Sequence, residues 1–532
     1  MRIWLAVFVL ACCATAQAHI GSPNIFVEDK AGEYPVRVVI RPPNVVPGLA
    51  EITVRVPEPV QRVTVLPVFW KAGREGAPPP DEARLVRGET NLYSAELWLM
   101  KSGAYSVDVT VEGARGKGTL VVPVNSIATN TRPMSRGYGL MLWALAAALF
   151  IGGLKIAGAI FGESRLEPGV LPTSKDRWRG RVAMVVAAGI FTLLLVGGKK
   201  WWDSEDHDYR NNSLYKPFPV SAKVRVERDQ SVLHIKVDAS GRRGRWTPLI
   251  PDHGKLMHLF MIRDGEQNAF AHLHPVQRKR TEFEVPLPPF PAGQYHVYAD
   301  VTHEDGFSET LVATAEIPPP SDAMKKLWEG DSGEPRGAAE VAKVDAASLF
   351  LPPDPDDSWQ VHSGTPASSP QEKGSEGQVA DASGGYKMIW QNSEPMVQNQ
   401  DASLRFKLLK PDKQPAKLEP YMGMLGHAAV RRSDGAVFAH LHPVGTFSMA
   451  AQQFFVEGKP PKQSTSQRPQ GATSSAPSSE DHSVHAHHVS TAEEISFPYA
   501  FPEPGAYRLW VQMKSQDRIL TGVFDTIVAA AK

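Results

Sequence analysis

A seven-residue string, FAHLHPV, occurs twice in the chain, at residues 270–276 and again at 438–444. Each copy contains two histidines separated by one residue, which in a β-strand places both imidazoles on one face about 6.5 Å apart. Imidazole nitrogen is a preferred ligand of zinc and copper, so such a pair could hold one metal ion. The alternative is a structural corner inherited by duplication, in which the imidazoles hydrogen-bond carbonyl groups.

A third histidine precedes each copy, at the position that a hairpin would place opposite the last histidine of the string. The Asp-Gly dipeptide at 434–435 is a strong signal for a two-residue hairpin turn, and pairing across it sets His427 opposite His442. A five-residue loop over 264–268 gives the corresponding pairing in the other copy. The sequence therefore predicts two three-histidine faces: His258, His272 and His274 in one copy, and His427, His440 and His442 in the other.

Further side chains near these faces are candidate ligands. Those in the first copy are His253, shortly before the hairpin, and His296, on the later strand GQYHVYADV. The second copy has Met422 and Met424 before its hairpin, and Arg508 in place of His296. Thioether sulphur together with imidazole favours copper, whereas an all-histidine set would also suit zinc. Copper is therefore the predicted metal, with zinc as the alternative.

Composition and motifs exclude several function classes. The chain has 532 residues, too many for one hydrophobic core, and its formal net charge is zero. No domain has a strong basic excess, so no nucleic-acid partner is expected. The sequence also contains no recognisable Ser-His-Asp order, paired-carboxylate motif or phosphate-binding loop, so we do not expect an enzyme.

The N-terminus is typical of an exported protein. One arginine precedes an apolar run, and an A-x-A cleavage site follows at 16–18, which predicts a signal peptide over 1–18. Cleavage would make His19 the N-terminal residue, a further candidate copper ligand through its amine and imidazole. A lipoprotein signal with lipidated Cys12 is the competing interpretation. Both cysteines lie in this segment, so the exported chain has no disulfide, and its metal ligands must be histidine, methionine or carboxylate.

Two further apolar stretches, 137–161 and 182–198, predict transmembrane helices. The segment between them, 162–181, carries several arginines and a lysine, and the positive-inside rule assigns it to the cytoplasm. This predicts a two-pass protein of the inner (cytoplasmic) membrane, with its N- and C-terminal regions on the extracytoplasmic, periplasmic side. A buried helical hairpin in a soluble protein is the alternative.

The remaining sequence consists of short alternating apolar runs separated by proline and glycine clusters, which indicate β-strands. The predicted fold class is mainly β, with three immunoglobulin-like β-sandwich domains plus a two-helix transmembrane hairpin. The predicted sandwich domains cover 19–130, 214–318 and 384–529. Two polar segments are predicted to be disordered linkers: 319–383, and an insertion over 457–492. The insertion contains HSVHAHH, which is either a weak metal collector or a polar tract without a role.

The last two domains repeat one another, since LHIKV at 233 corresponds to LRFKL at 404 and FPAGQYHVYADV to FPEPGAYRLWVQ. The first domain, with HIGSPNIF, YPVRVVIRP and GAYSVDVTVEG, resembles the YtkA-like and FixH-like secreted β-sandwich domains and, more loosely, CopC. The segment DHGKLMHLF…FAHLHP resembles HLHP-containing domains of bacterial envelope proteins associated with heavy-metal handling. The resemblance implies an immunoglobulin-like fold and copper association, and it transfers no catalytic residue.

Three functions are consistent with the sequence. The leading hypothesis is a membrane-anchored extracytoplasmic protein that binds copper through histidine clusters on β-sandwich domains and buffers or delivers it. The second is a structural or assembly protein that uses the sandwich domains to bind an envelope protein partner. The third is a copper-dependent oxidative enzyme built on His19; such a copper brace needs a second histidine, and residues 20–136 contain none.

Overall fold

A computed structural model describes residues 19–20, 24–167, 169–240, 246–329, 336–343, 349–362, 377–392, 395–458 and 493–531. The predicted signal peptide, and the predicted insertion from residue 459 onward, lie outside the described residues. The described residues form two compact units. One comprises those of Met1–Pro43, Pro47–Ser126 and Pro217–Lys532, and the other Asn44–Val46 and Ile127–Lys216.

The first unit contains three β-sandwich domains, which confirms the predicted fold class. The strands of the N-terminal region are β1 His19–Ile20, β2 Ile25–Ala31, β3 Tyr34–Arg41, β4 Gly48–Arg55, β5 Arg62–Phe69, β6 Asp81–Glu82, β7 Arg84–Leu85, β8 Leu92–Leu99, β9 Gly103–Gly113 and β10 Gly116–Ser126. In the N-terminal domain, a sheet of order β2-β3-β4-β8-β7 faces a sheet of order β10-β9-β5-β6. Alternate residues of β3, namely Val36, Val38 and Ile40, are buried in the core between them, as the alternating pattern predicted.

The second unit contains two long helices, α1 Arg136–Glu163 and α2 Ser174–Asp208, and the π-turn Tyr209–Ser213. Both predicted apolar spans lie within them, and no residue of either apolar window is buried. A helical hairpin inside a soluble core would be buried, so this exposure favours the membrane interpretation. Glycines let the helices approach closely: a Cβ on Gly180 would lie 2.9 Å from the carbonyl oxygen of Gly158.

The middle and C-terminal domains have corresponding strands. Those of the middle domain are β11 Val220–Glu227, β12 Gln230–Val237, β13 His258–Arg263, β14 Ala269–Leu273, β15 Val276–Lys279, β16 Glu282–Pro286, β17 Gly293–Thr302 and β18 Ser308–Ile317. Those that follow are β19 Ser358–Val361, β20 Gln378–Asp381, β21 Lys387–Trp390, β22 Met396–Val397, β23 Ala402–Leu409, β24 Gly426–Arg432, β25 Val437–Leu441, β26 Glu494–Tyr499, β27 Gly505–Ser515 and β28 Arg518–Ala529.

Each of these domains has one sheet that carries a histidine hairpin. In the middle domain this sheet has the order β18-β17-β13-β14-β19, and it faces β11-β12-β16-β15. In the C-terminal domain it has the order β1-β25-β24-β27-β28-β22, and it faces β20-β21-β23-β26. Neighbours are antiparallel except for β1 on β25 and β22 on β28, which are parallel. The hairpins are β13–β14 and β24–β25, in equivalent places of the two sheets.

The prediction of a disordered linker over 319–383 is wrong for much of its described part. This part contains the helices α3 Asp322–Trp328 and α4 Ala338–Val341, besides β19 and β20. Met324, Trp328 and Val341 are buried in a small cluster against Trp359. The prediction relied on the average composition of the segment, which is polar, and so overlooked these few apolar side chains. When they pack together, they bury enough apolar surface to order the chain. The helix α5, Met449–Glu457, ends at the first residue of the predicted insertion.

The two histidine-bearing sheets pack face to face. Because side chains alternate along a strand, Leu259 and Ala271 point into the core of the middle domain, whereas Phe260 and Phe270 point to the C-terminal domain. The rings of Phe270 and Trp510 stack at 5.1 Å, and those of Tyr298 and Phe438 at 4.0 Å. Phe270 is equivalent to Phe438 in the repeat, and Tyr298 to Trp510. The interface therefore has approximate two-fold symmetry between the two copies.

Candidate metal centre

The two hairpins have the register that the turn signals predicted. Phe260 pairs with His272 and Leu259 with Leu273, so the next position sets His258 opposite His274. In the other copy Ala428 pairs with Leu441, which sets His427 opposite His442.

The predicted convergence of the histidines is confirmed in both hairpins. One ring nitrogen from each histidine lies within 4.8 Å of the others in its group. We call the group His258, His272 and His274 the first trio, and the group His427, His440 and His442 the second trio. Five of these residues are buried, and His440 keeps 7% of its side-chain surface exposed.

Each imidazole of the first trio has an inner nitrogen, which faces the other rings of the trio, and an outer nitrogen, which points away from them. An oxygen atom lies within hydrogen-bond distance of every outer nitrogen. His258 Nε2 lies 3.1 Å from the carbonyl oxygen of Asp252, and His272 Nδ1 lies 3.0 Å from Gln512 Oε1. His274 Nδ1 lies 2.9 Å from Asp357 Oδ1, which also accepts the backbone N–H of His274. A carbonyl or carboxylate oxygen accepts a hydrogen bond, so each outer nitrogen carries the proton.

The second trio has the same arrangement with different partners. His427 Nε2 lies 3.3 Å from the carbonyl oxygen of Tyr421, and His442 Nδ1 lies 3.1 Å from that of Phe447. His440 Nδ1 lies 3.2 Å from Asp300 Oδ2. The outer nitrogen therefore donates to an oxygen in all six rings.

Consequently, the inner nitrogens of the neutral rings present lone pairs to one another. His258 Nδ1 lies 3.1 Å from His272 Nε2, and His427 Nδ1 lies 3.2 Å from His440 Nε2. The Nε2 atoms of His274 and His442 are buried and have no hydrogen-bond partner among the described residues. Two nitrogens that each lie about 2.0–2.1 Å from one tetrahedral zinc ion would be about 3.3 Å apart, so both pairs are suitably spaced to share an ion.

The two trios also lie against each other. Across the domain interface, ring centroids are 5.5 Å apart for His258 and His440, and 5.8 Å apart for His272 and His427. His253 lies beside both trios, with its ring 6.1 Å from His258 and 5.2 Å from His442. Seven imidazoles therefore occupy one buried region where the middle and C-terminal domains meet.

Burial disfavours the charged form of five histidines of the two trios. Desolvation, together with the charge of neighbouring histidines, lowers the pKa of His258, His272, His427 and His440 well below 6.5. The same causes lower the pKa of His442 to about 4. Desolvation also raises the pKa of Asp300 to about 7 and raises the pKa of the carboxyls of Asp252 and Asp357.

These shifts predict that the metal-free protein is less stable at pH 5 than at pH 7. Unfolded His442 is protonated below about 6.5 but the folded ring stays neutral until about 4, which costs about 2 kcal/mol at pH 5. The four other histidines with lowered pKa act in the same direction. Asp300 opposes them, because its folded pKa exceeds its unfolded value and protonation below pH 7 favours the folded state by about 2 kcal/mol.

We therefore expect a net loss of stability, because five lowered histidine pKa values oppose three raised aspartate pKa values. Urea unfolding at pH 7 and at pH 5 measures it. His442→Gln should reduce the difference by about 2 kcal/mol. Equal stability at the two pH values would contradict the prediction.

The structure separates one predicted ligand from the centre. His296 Nε2 lies 3.0 Å from Asp264 Oδ1, and His296 pairs with Ile262, near the opposite end of β13 from His258. The prediction that His296 joins the first trio is therefore wrong. The prediction used only the presence of His296 in the strand GQYHVYADV. The pairing of β17 with β13 determines which end of that strand lies next to the first trio, and this is the end that contains Asp300.

The remaining candidate ligands occupy three places. His253 and Met422 are equivalent turn residues, and both have φ 50°, a left-handed conformation that is uncommon outside glycine. Met424 is half-buried in the same turn, where it pairs with Tyr421. The backbone of His19 pairs with Val437 at the edge of the C-terminal sheet, and its side chain lies outside the described residues. The histidines of HSVHAHH also lie outside them.

Sequence reasoning missed the residues that orient the histidines. Asp300 and Gln512 are equivalent in the repeat, each seven positions after the glycine that begins β17 or β27. A polar residue at the same place in the two corresponding strands was the available signal. Asp357 belongs to DPDDSW, in the segment that was predicted to be a disordered linker.

Comparisons with known proteins match only part of the chain by sequence. The model of a family described as Domain of unknown function (DUF8832) matches residues 218–318 and 380–465, which include both hairpins. No curated protein matches the sequence significantly.

Similar solved structures have low TM-scores. The chicken CNTN1 FN1-FN3 domains are 8% identical, with 92% of this chain and 97% of that chain covered and a TM-score of 0.15. The fibronectin(III)-like modules of Clostridium thermocellum CbhA are 9% identical, with 53% and 92% covered and a TM-score of 0.19. A putative membrane anchored protein from Corynebacterium diphtheriae is 8% identical, with 96% of each chain covered and a TM-score of 0.13. These scores are too low to carry an argument about function.

Proposed function

We propose that this is a membrane-anchored metal-binding protein whose middle and C-terminal domains hold metal ions at the two trios. The observation that carries the proposal is the oxygen atom that lies within 3.3 Å of the outer nitrogen of each of the six rings. Every outer nitrogen donates to an oxygen, so six lone pairs converge in two buried groups. Metal-binding histidines are typically oriented in this way, by a carboxylate or carbonyl on the nitrogen that does not bind the ion.

The donor set supports copper as the metal and zinc as the alternative. Three neutral imidazoles without thiolate suit either ion, and zinc would keep a fourth, open position. Met422 and Met424 lie in the turn next to the second trio, where thioether sulphur would favour copper. The resemblance of the first domain to YtkA-like, FixH-like and CopC domains is consistent with copper.

Two apolar helices support membrane anchoring. With the arginine-rich segment 162–181 in the cytoplasm, the sandwich domains lie on the extracytoplasmic side of the cytoplasmic membrane. There the protein would buffer copper or pass it to an envelope partner. The alternative structural role does not explain the buried Nε2 atoms of His274 and His442, which have no hydrogen-bond partner in the described part of the chain, because a buried nitrogen without a hydrogen bond is costly.

Metal titration of the full chain in detergent tests this function. Metal-free protein is titrated with Cu(I) and Zn(II) against a competing chelator, and compared with the double variant His272→Ala/His440→Ala. We expect the double variant to lose the tight binding, whereas His296→Ala binds as the unchanged protein does. Asp357→Asn retains both trios and should bind the metal of the first trio 10–100-fold more weakly. A double variant that binds as tightly as the unchanged protein would overturn the proposal.

A further inference from the structure

We infer that the two trios form one dinuclear centre, in which two metal ions, each bound by three histidines, face each other across the domain interface. This inference rests on the proposed metal-binding function and adds to it the number of ions, their proximity and the need for both domains. Three observations support it: the spacing of the rings, the exchange of hydrogen bonds between the domains, and the buried charge.

The rings of different trios are almost as close as the rings of one trio. Ring centroids within the trios are 4.4–5.4 Å apart, for example 5.3 Å for His258 and His272 and 5.4 Å for His427 and His440. Between the trios, His258 and His440 are 5.5 Å apart, and His272 and His440 are 5.6 Å apart. Ions that bind the inner nitrogens of both trios would therefore be neighbours in one buried region, as the ions of two-metal sites are.

Each trio is completed by the other domain. His272 of the middle domain donates to Gln512 of the C-terminal domain, and His440 of the C-terminal domain donates to Asp300 of the middle domain. Asp300 and Gln512 are equivalent in the repeat, so the two hydrogen bonds are related by the approximate two-fold symmetry of the interface. Neither domain can orient its own middle histidine alone, and the two sites must therefore assemble together.

Buried carboxyl groups lie beside both trios. Asp252, Asp300 and Asp357 are buried or partly buried around the six rings. Among the residues that the structure describes, none of the three carboxylates forms an ion pair with lysine or arginine. Buried carboxylates are costly without a compensating charge. A cation in the first trio would lie one imidazole away from Asp357, and a cation in the second trio one imidazole away from Asp300, so each ion would compensate a different carboxylate.

His253 distinguishes the two halves of the centre. Its ring lies 5.6 Å from His427 and 5.2 Å from His442, although His253 belongs to the middle domain. The equivalent residue of the other copy is Met422. An ion with three histidine ligands keeps a fourth position, and His253 is the nearest additional imidazole that could occupy it.

Electron paramagnetic resonance of the Cu(II)-loaded full chain tests the inference. The background is a variant in which His482, His485, His487 and His488 are replaced by alanine, which removes the other histidine-rich stretch. We expect the protein with both trios intact to bind two more Cu(II) ions than His272→Ala/His440→Ala does. Its spectrum should be split or weakened by the coupling between the two Cu(II) spins. His272→Ala alone should keep one ion and show the full, uncoupled intensity of a single spin. His296→Ala should keep the coupled spectrum.

The outcomes separate this inference from the proposed function. If the double variant binds as much Cu(II) as the unchanged trios do, the metal-binding function itself fails. The metal-binding function stands and the dinuclear centre is overturned in two cases. In the first, the double variant binds only one Cu(II) ion fewer than the protein with intact trios. In the second, it binds two ions fewer, but the spectrum of the intact trios shows no coupling. The coupled spectrum is measured on intact trios, so this result does not depend on whether the variants fold.

Discussion

Zn(II) at one hundred times its dissociation constant is expected to raise the free energy of unfolding of the paired middle and C-terminal domains by about 5 kcal/mol. Each ion that binds only the folded state contributes about 2.7 kcal/mol at that concentration, and two trios are available. Hydrogen exchange of the metal-free and Zn(II)-loaded chain measures the gain strand by strand. The protection should increase in the hairpins β13–β14 and β24–β25.

The N-terminal domain provides an internal control for this effect. Its residues 24–126 contain no histidine, so exchange in its strands β4 and β8 should not change on addition of Zn(II). His272→Ala/His440→Ala should abolish the protection in the hairpins, and His296→Ala should retain it. An equal increase in all three domains would indicate nonspecific stabilisation and would contradict the prediction.

Trp510→Ala is expected to destabilise the protein by about 3–5 kcal/mol, the usual cost of truncating a fully buried large aromatic side chain. Trp510 is fully buried between the domains, where it stacks on Phe270 with an interplanar angle of 8°. It also lies two residues before Gln512, on the same face of β27. We therefore expect a second effect, weaker metal binding at both trios, because the interface brings Gln512 to His272 and Asp300 to His440.

Urea unfolding measures the first effect and metal titration the second. Trp98→Ala is the matched control: this tryptophan is 58% exposed on β8 of the N-terminal domain, so its loss should change stability by less than about 0.5 kcal/mol. If Trp510→Ala loses stability but both trios bind metal with unchanged affinity, the domain interface does not build the site, and the exchanged hydrogen bonds have no role in binding.

The sequence by itself determined the local geometry of each trio. An Asp-Gly turn fixes the register of a two-residue hairpin, and the period of two along a strand then decides which side chains share a face. His427, His440 and His442 converge for these reasons alone. Duplication extended the same conclusion to the first copy. The alternation of valine and isoleucine likewise predicted the sandwich sheets, since burial of one face requires that pattern.

Strand order and segment packing were beyond this reasoning. His296 and His258 belong to neighbouring strands, yet they lie near opposite ends of β13, because an antiparallel partner reverses the direction of the chain. In the same way, Asp357 binds His274 across 83 positions of sequence, from a segment whose composition predicted disorder. A few apolar residues, among them Trp328 and Trp359, order that segment by packing on each other.

Only the tertiary structure shows that the two trios lie against each other. Within each copy the sequence of the hairpin specifies three histidines, but it contains no information about the partner of the face that carries them. That partner is the other copy, because the outward aromatic residues Phe270, Tyr298, Phe438 and Trp510 bury one another when the two sheets meet face to face. The sequence thus determined two sets of ligands, and the burial of four aromatic rings brought them together.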